Sequence, residues 1–465
     1  MFSCPCGRSF VSENALDQHR RDKLRLGGAS PGCQMSTNAS PQTRAGRHTT
    51  DQSRRQTSSW MCDDVASREA ICTIDHGTLV PSAATVSSTQ AAELVGSYNW
   101  QNCKNVEYEI PGSAPVWQHG IVLPVQLPPD KGTLFQDEEV SRISEYPFEP
   151  LAEAAAAMNP GFNFDEVDVV VNRHSLRKLL DFCGGRTPET FRVNLLMVRE
   201  TLFIERSEKN ARSLIRGTQN VGWGKTFERT FTKYPAGLEN STAHHRSLLY
   251  PIGNLNCVVR FELDACYQNV SDEAANLSCL DSPLGNLSLS DAAETNGTVD
   301  RPAKNPHELG VMDQSTQAEI KTSSNRKNPN ISKYLPQLWL GRTPWLIVGS
   351  HTDGNFGEIS IIDAGARFTS WETRRQVELR KLVAVLARLR DAVRGNGGGN
   401  CVAIYEHGST PRAIKVFAST MSRRALPDVW IRKLWAAEDG GTASSEMGGA
   451  SSTQSASCVE RGGWL

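Results

Sequence analysis

No stretch constrains this chain more than Cys257-Val-Val-Arg-Phe-Glu-Leu-Asp-Ala-Cys-Tyr267, read together with Ala318-Glu-Ile-Lys-Thr322. In an extended strand, successive side chains point to opposite faces. Val259, Phe261, Leu263 and Ala265 then share an apolar face suited to a core, while Arg260, Glu262, Asp264 and Cys266 share the other. In the later stretch Glu319 and Lys321 fall on one face, Ala318 and Ile320 on the opposite one. If the two strands pair, three carboxylates and an ammonium converge. Hard cations such as Mg²⁺ take oxygen ligands, and a bound metal activates water and steadies the charge of a phosphoryl transfer. Either strand alone reads better as an ordinary amphipathic strand with a solvated face; only the combination makes a chemical role competitive. Two carboxylates on adjacent strands repel unless a cation lies between them, so removing Asp264 or Glu319 is expected to relieve the apo protein.

The rest of the chain limits where that core extends. Its 465 residues carry a net charge of −1, so no global basic field advertises nucleic-acid binding. Twelve cysteines form no dense framework, several fall in apolar strands, and neither a signal sequence nor a bilayer-length apolar run is evident. These features read as an intracellular protein with reduced thiols, in nucleus or cytoplasm, without a membrane.

Residues 1–25 resemble a degenerate Cys₂His₂ finger, with Cys4, Cys6, Phe10, Leu16 and His19 in the right order. Only one residue separates the cysteines, and Lys23-Leu24-Arg25 stand where the second histidine belongs, so a four-ligand zinc site is not expected to close. Residues 26–96, 268–316 and 437–465 are poor in bulky side chains and read as disordered, the middle one as an insertion. Between 97 and 436 the pattern is α+β, a single domain around a mixed sheet. Helices are expected at 147–158, 172–182, 224–234, 333–338, 371–394 and 428–435. Hairpins are expected at 191–204 and 247–264, the latter turning at Gly253-Asn254. Gly224-Lys225-Thr226 is not the end of a P-loop, because Gln219 stands where its first glycine belongs. Adjacent His244 and His245 would point apart in a strand and share no metal.

With these residues laid out, the chain resembles the decapping exoribonuclease family, the DXO-type RNA 5′-end hydrolases, over residues 97–436. Asn172-Arg173-His-Ser-Leu-Arg-Lys-Leu-Leu180 looks like the family's arginine before a Leu-Leu helix. Gly222-Trp-Gly-Lys-Thr-Phe-Glu228 looks like its Gly-φ-x-φ-Glu element (φ, apolar), with Lys225 at the first apolar position. Glu262-Leu-Asp264 and Glu319-Ile-Lys321 look like its Glu-φ-Asp and Glu-φ-Lys pairs. Tyr334-Leu-Pro-Gln-Leu-Trp-Leu340, followed by Leu346-Ile-Val-Gly349, resembles the Gln-bearing helix and the next strand. More than fifty residues separate Asp264 from Glu319, where the family has a short connection.

The resemblance implies a mainly antiparallel, PD-(D/E)XK-like nuclease core. It also implies Mg²⁺ or Mn²⁺ on Glu228, Asp264 and Glu319, with Glu262 close by, directly or through water. Lys321 and Gln337 would position the attacking water or scissile phosphate, and Arg173 would hold a phosphate of the RNA 5′ end. A 5′–3′ exoribonuclease is the partner it suggests. Each residue also has a plainer role: Arg173 capping its helix or pairing with Asp168, Glu228 as a solvated helix residue, Gln337 as a surface amide. Two other classes fit the motifs, a DNA-directed nuclease and a catalytically silent binding or scaffold protein.

Overall fold

The protein is described by a computed structural model over residues 2–3, 9–10, 59–103, 107–131, 133–135, 138–142, 145–209, 214–216, 222–268, 312–324 and 330–436. The chain divides into two compact units, Met1–Trp60 and Met61–Leu465. The first contains a short antiparallel pair, Phe2–Ser3 with Ser9–Phe10. The finger positions Cys4, Cys6, Leu16 and His19, most of the 268–316 insertion and residues 437–465 lie outside the described residues.

The second unit is built on two large sheets, beside a two-stranded one formed by Thr133–Phe135 and Leu214–Arg216. Its strands are β1 (Cys72–Asp75), β2 (Glu93–Gln101), β3 (Tyr108–Glu109), β4 (Val116–Trp117), β5 (Val125–Gln126), β6 (Val169–Asn172), β7 (Phe191–Val198), β8 (Thr201–Ser207) and β9 (Thr232–Lys233). There follow β10 (Ser241–Ile252), β11 (Leu255–Leu263), β12 (Ala265–Cys266), β13 (Gln317–Ser323), β14 (Trp345–Thr352), β15 (Asn355–Asp363), β16 (Cys401–Tyr405) and β17 (Ala413–Ala418). The larger sheet runs β1-β17-β16-β7-β8-β6-β11-β10-β2-β3, and the smaller β9-β4-β12-β13-β14-β15-β5. Both are mainly antiparallel; β6 pairs parallel with β8 and β11, β12 with β4, and β13 with β14. The helices are α1 (Glu138–Arg142), α2 (Glu149–Met158), α3 (Arg173–Cys183), α4 (Gly224–Phe231), α5 (Leu335–Leu340), α6 (Phe368–Gly395) and α7 (Asp428–Leu434).

Apolar periodicity decides which face each helix covers. Leu176, Leu179 and Leu180 of α3 share one core with Leu338 and Trp339 of α5, Leu382, Leu386 and Leu389 of α6, and Val259 and Leu263 of β11. On the sheet's other face, Leu151 and Ala152 of α2 and Leu434 of α7 meet Val170, Phe203 and Val258. The β10–β11 hairpin turns at Gly253, whose φ of +68° is a left-handed conformation that costs glycine little.

The expected α+β core with a mixed, mainly antiparallel sheet is present, its strands divided between two large sheets and a two-stranded one. Two expectations are corrected. The stretch 257–267 is not one strand: it breaks at Asp264, so Leu263 ends in the larger sheet and Ala265 begins in the smaller. The break resets the alternation, and Ala265 joins the core of Phe227 and Ile320 while Cys266 joins that of Leu263. The disorder expected through residue 96 does not hold from Met61 onward, where β1 lies and Ile74, Leu79, Val86 and Val95 are buried. This segment is ordered by its contacts with β17, which pairs with β1, and with α6, rather than by its own composition. Val86 N–H donates to Gln376 at 2.8 Å, and Ser88 N–H donates to Glu372 at 2.9 Å.

Helix α4 lies close against β14 because residue 349 lacks a side chain. A Cβ there would come within 2.5 Å of the buried Phe227 ring and 3.0 Å of Phe356. Overfilling such a contact costs about 1–3 kcal/mol. Gly349→Ala is therefore expected to lower the thermal unfolding midpoint, whereas Gly357→Ala, where a Cβ meets nothing, is not; equal midpoints for the two variants would contradict this packing.

Candidate functional site

The break at Asp264 is what assembles the site. Ala265 pairs with Ala318, so β11 delivers Asp264 beside Glu319 just as the chain passes from one sheet to the other. Asp264 Oδ2 accepts the Ile320 N–H at 2.8 Å and Lys321 Nζ at 3.3 Å. Lys321 Nζ also donates to Glu319 Oε1 at 2.6 Å. The ammonium thus bridges the two carboxylates, and the expected relief on removing one of them is corrected: the cation is already there, supplied by the chain.

Glu319 has almost no solvent, its side chain being 3 % exposed, and each of its oxygens is engaged. Oε2 accepts from Arg173 Nη1 at 3.1 Å, and Oε1 accepts a short bond from Gln337 Nε2. Arg173 opens α3, where a cation opposes the helix dipole. It is held there by Glu319, by the Glu262 carbonyl at 3.0 Å and by the Phe261 ring 5.0 Å below it. Gln337 reaches the site because α5 packs on α3 through Leu338 and Trp339, and its Oε1 accepts from Arg177 Nη1 at 3.2 Å. Asp168 pairs with Arg390 instead, at 2.7 Å.

Helix α4 brings the fourth carboxylate. Asp130 fixes its start, accepting the Thr226 N–H at 2.8 Å, and buried Phe227 and Phe231 turn Glu228 toward Asp264. Lys225 Nζ lies 3.0 Å from Glu228 Oε2 and 3.8 Å from Glu262 Oε1. Arg173, Lys225, Glu228, Glu262, Asp264 and Gln337 line a cleft of about 760 Å³, with Glu319 one layer deeper.

All seven residues proposed from the sequence are therefore brought together. Lys225 and Arg177 belong with them and were not among those seven. Lys225 stood where an apolar residue was expected; Arg177 is one helical turn beyond Arg173, a spacing that puts both on one face. Among the described residues, no three acidic, histidine or cysteine side chains converge as a metal-holding group. Each of these four carboxylates is turned on a lysine or arginine. The donor chemistry nevertheless suits a hard divalent ion, with four carboxylates against three cations in direct contact, one negative charge in excess. His244 and His245 do point apart, to Asn99 and Glu139 respectively.

Burial pushes the Asp264 carboxyl up, but the Lys321 and Lys225 charges and the Ile320 N–H hold it below the ordinary carboxylate value. Burial would lower Lys321, yet Asp264 and Glu319 raise it; Glu262 and Glu228 do the same for Lys225. Glu228 goes the other way. Burial pushes it up against the pull of Lys225, the Asp264 and Glu262 charges add to the rise, and it reaches about 7.

Among solved structures, the fold is similar to that of Rai1 of Scheffersomyces stipitis. Rai1 of Scheffersomyces stipitis, in complex with (3′-NADP)⁺ and calcium ion, superposes with a TM-score of 0.52 at 10 % identity, over 77 % of this chain and 99 % of that one. Candida albicans Rai1 in complex with pU5-Mn²⁺ gives 0.48 at 13 % identity (76 % and 99 %), and K. lactis Dxo1 in complex with manganese 0.43 at 11 % (75 % and 96 %). No curated protein matches the sequence. Over residues 68–435 the sequence matches the family described as "Domain of unknown function (DUF8563)", and the chain belongs to that family.

A group whose folded pKa is raised holds its proton more tightly folded than unfolded. Its contribution is present at low pH and is lost as pH rises from the unfolded value toward the folded one. For Glu228 that window runs from 4.5 to about 7. Glu228→Gln has no such loss, so its melting temperature relative to the unaltered protein is expected to rise between pH 5 and pH 8. Parallel pH profiles would refute this account of Glu228.

Proposed function

We propose that this protein is a metal-dependent hydrolase of RNA 5′ ends, removing terminal phosphates or caps, with 5′–3′ exoribonuclease activity as an extension. The observation that carries the reading is the Asp264–Lys321–Glu319 bridge, flanked by Arg173 and Gln337 at the junction of two sheets in the fold of Scheffersomyces stipitis Rai1. Glu228, Asp264 and Glu319 would hold Mg²⁺ or Mn²⁺, with Glu262 beside them. When bound, the ion would supply Lewis acidity and lower the pKa of a bound water. Lys321 keeps its proton and offers a donor toward charge developing on the phosphoryl oxygens. Arg173 has five N–H donors, and those beyond its bonds to Glu319 and Glu262 suit a terminal phosphate. Gln337, fixed between Glu319 and Arg177, would orient the attacking water. A partner 5′–3′ exoribonuclease belongs to this proposal as well.

Purified protein given Mg²⁺ or Mn²⁺ is expected to release 5′-end products from triphosphorylated or capped RNA. Lys321→Ala should slow that step by roughly 10²–10³ while metal still binds, and Asp264→Asn should abolish it. Because Asp264 is paired, Asp264→Asn should also lower the apo melting temperature. Hydrolysis of DNA in place of RNA would make the protein a DNA-directed nuclease, and hydrolysis of neither would make it a silent relative.

A further inference from the structure

The two lysines of the site are not equivalent. Lys321 is held by two carboxylates at 3.3 and 2.6 Å, and its side chain is 29 % exposed. Lys225 makes one close contact, to Glu228 at 3.0 Å, and a longer one to Glu262 at 3.8 Å, with 45 % of its side chain exposed. Lysine carries its charge on a flexible four-carbon stem, which allows the ammonium to move into water without disturbing the backbone. The start of α4 is fixed independently, by Asp130 on the backbone N–H of Thr226, so the helix does not depend on where the Lys225 head lies.

Charge gives the consequence. With Lys225 in place and all four carboxylates ionised, they face Arg173, Lys225 and Lys321, a balance of −1. With Lys225 turned out, four face two, and the balance is −2, which one divalent ion neutralises. We infer that Lys225 is a built-in competitor of the divalent ion: it occupies the Glu228–Glu262 side of the cleft, and metal binds there only as the ammonium swings out to solvent. This deepens the proposed function and rests on it, assigning to Lys225 the control of metal affinity at that site. A like charge left beside the ion would weaken its binding in a half-solvated cleft.

The test is calorimetric titration of the full-length protein with Mn²⁺, without substrate. Lys225→Met and Lys225→Gln are each expected to bind at least about tenfold more tightly than the unaltered protein. Lys225→Arg, which keeps the charge, and Lys415→Met, an exposed lysine of β17, should not. Without metal, Lys225→Met should melt lower, and Mn²⁺ should restore it. Lys225→Gln retains a hydrogen-bonding group for Glu228 and serves if the methionine variant does not fold. Binding by the variants where the unaltered protein shows none would support the inference in its strongest form. Equal, measurable affinities in all proteins would overturn it and leave the proposed hydrolase standing. No Mn²⁺ binding by any of them would overturn both.

Discussion

One buried carboxylate, that of Glu319, joins the elements on which the cleft depends. It lies on β13, yet its partners come from α3, α5 and β13 itself, through Arg173, Gln337 and Lys321. Removing a carboxylate from water is costly, and the cost is met only when the geometry satisfies its lone pairs. Here both oxygens are engaged, so the group is tolerated at 3 % exposure. Breaking one side of such an arrangement typically costs about 3–5 kcal/mol, because it strands a charge in the interior. Arg173 is similarly committed: a cation at a helix start is unfavourable unless an anion lies against it. The two penalties cancel through one contact, which locks α3 to the smaller sheet.

The same economy appears where the chain changes sheets. At Asp264 the chain leaves the larger sheet for the smaller one, where Ala265 pairs with Ala318 of β13. Ending β11 at Leu263 and restarting at Ala265 lets the intervening aspartate cap the Ile320 N–H and face Lys321. The irregular residue is thus the one with chemistry to offer, with both flanking strands kept in register by their ladders.

Much of this was legible in the sequence because it is local. Alternation in Val259–Leu263, the leucine spacing of 176–180 and the Gly253-Asn254 turn each report on neighbours in the chain, and each element lies close to where it was expected. The carboxylates and Lys321 were legible as types in strands. What was not legible depends on distant packing. The break at Asp264 arises because two sheets claim the two halves of one apolar run, and no periodicity within the run records that. Residues 61–96 look unfoldable by composition, since their order comes from Glu372, Gln376 and Arg380 on α6 and from the ladder of β1 on β17, some three hundred residues later. Lys225 stood at an apolar position of a motif; its distances to Glu228 and Glu262 give it a role.

The register of β12 and β13 has a consequence for how such a protein can change. Cys266 and Gln317 are paired across the ladder, so the two ends of the intervening segment are already side by side. Closing a loop between fixed ends grows costlier only with the logarithm of its length. The chain can therefore gain or lose dozens of residues at this point while Asp264 and Glu319 stay where they are. That makes it a natural port: a tethering peptide, a reporter or a whole module grafted here would be delivered within a few residues of the carboxylates, with the scaffold bearing almost none of the burden.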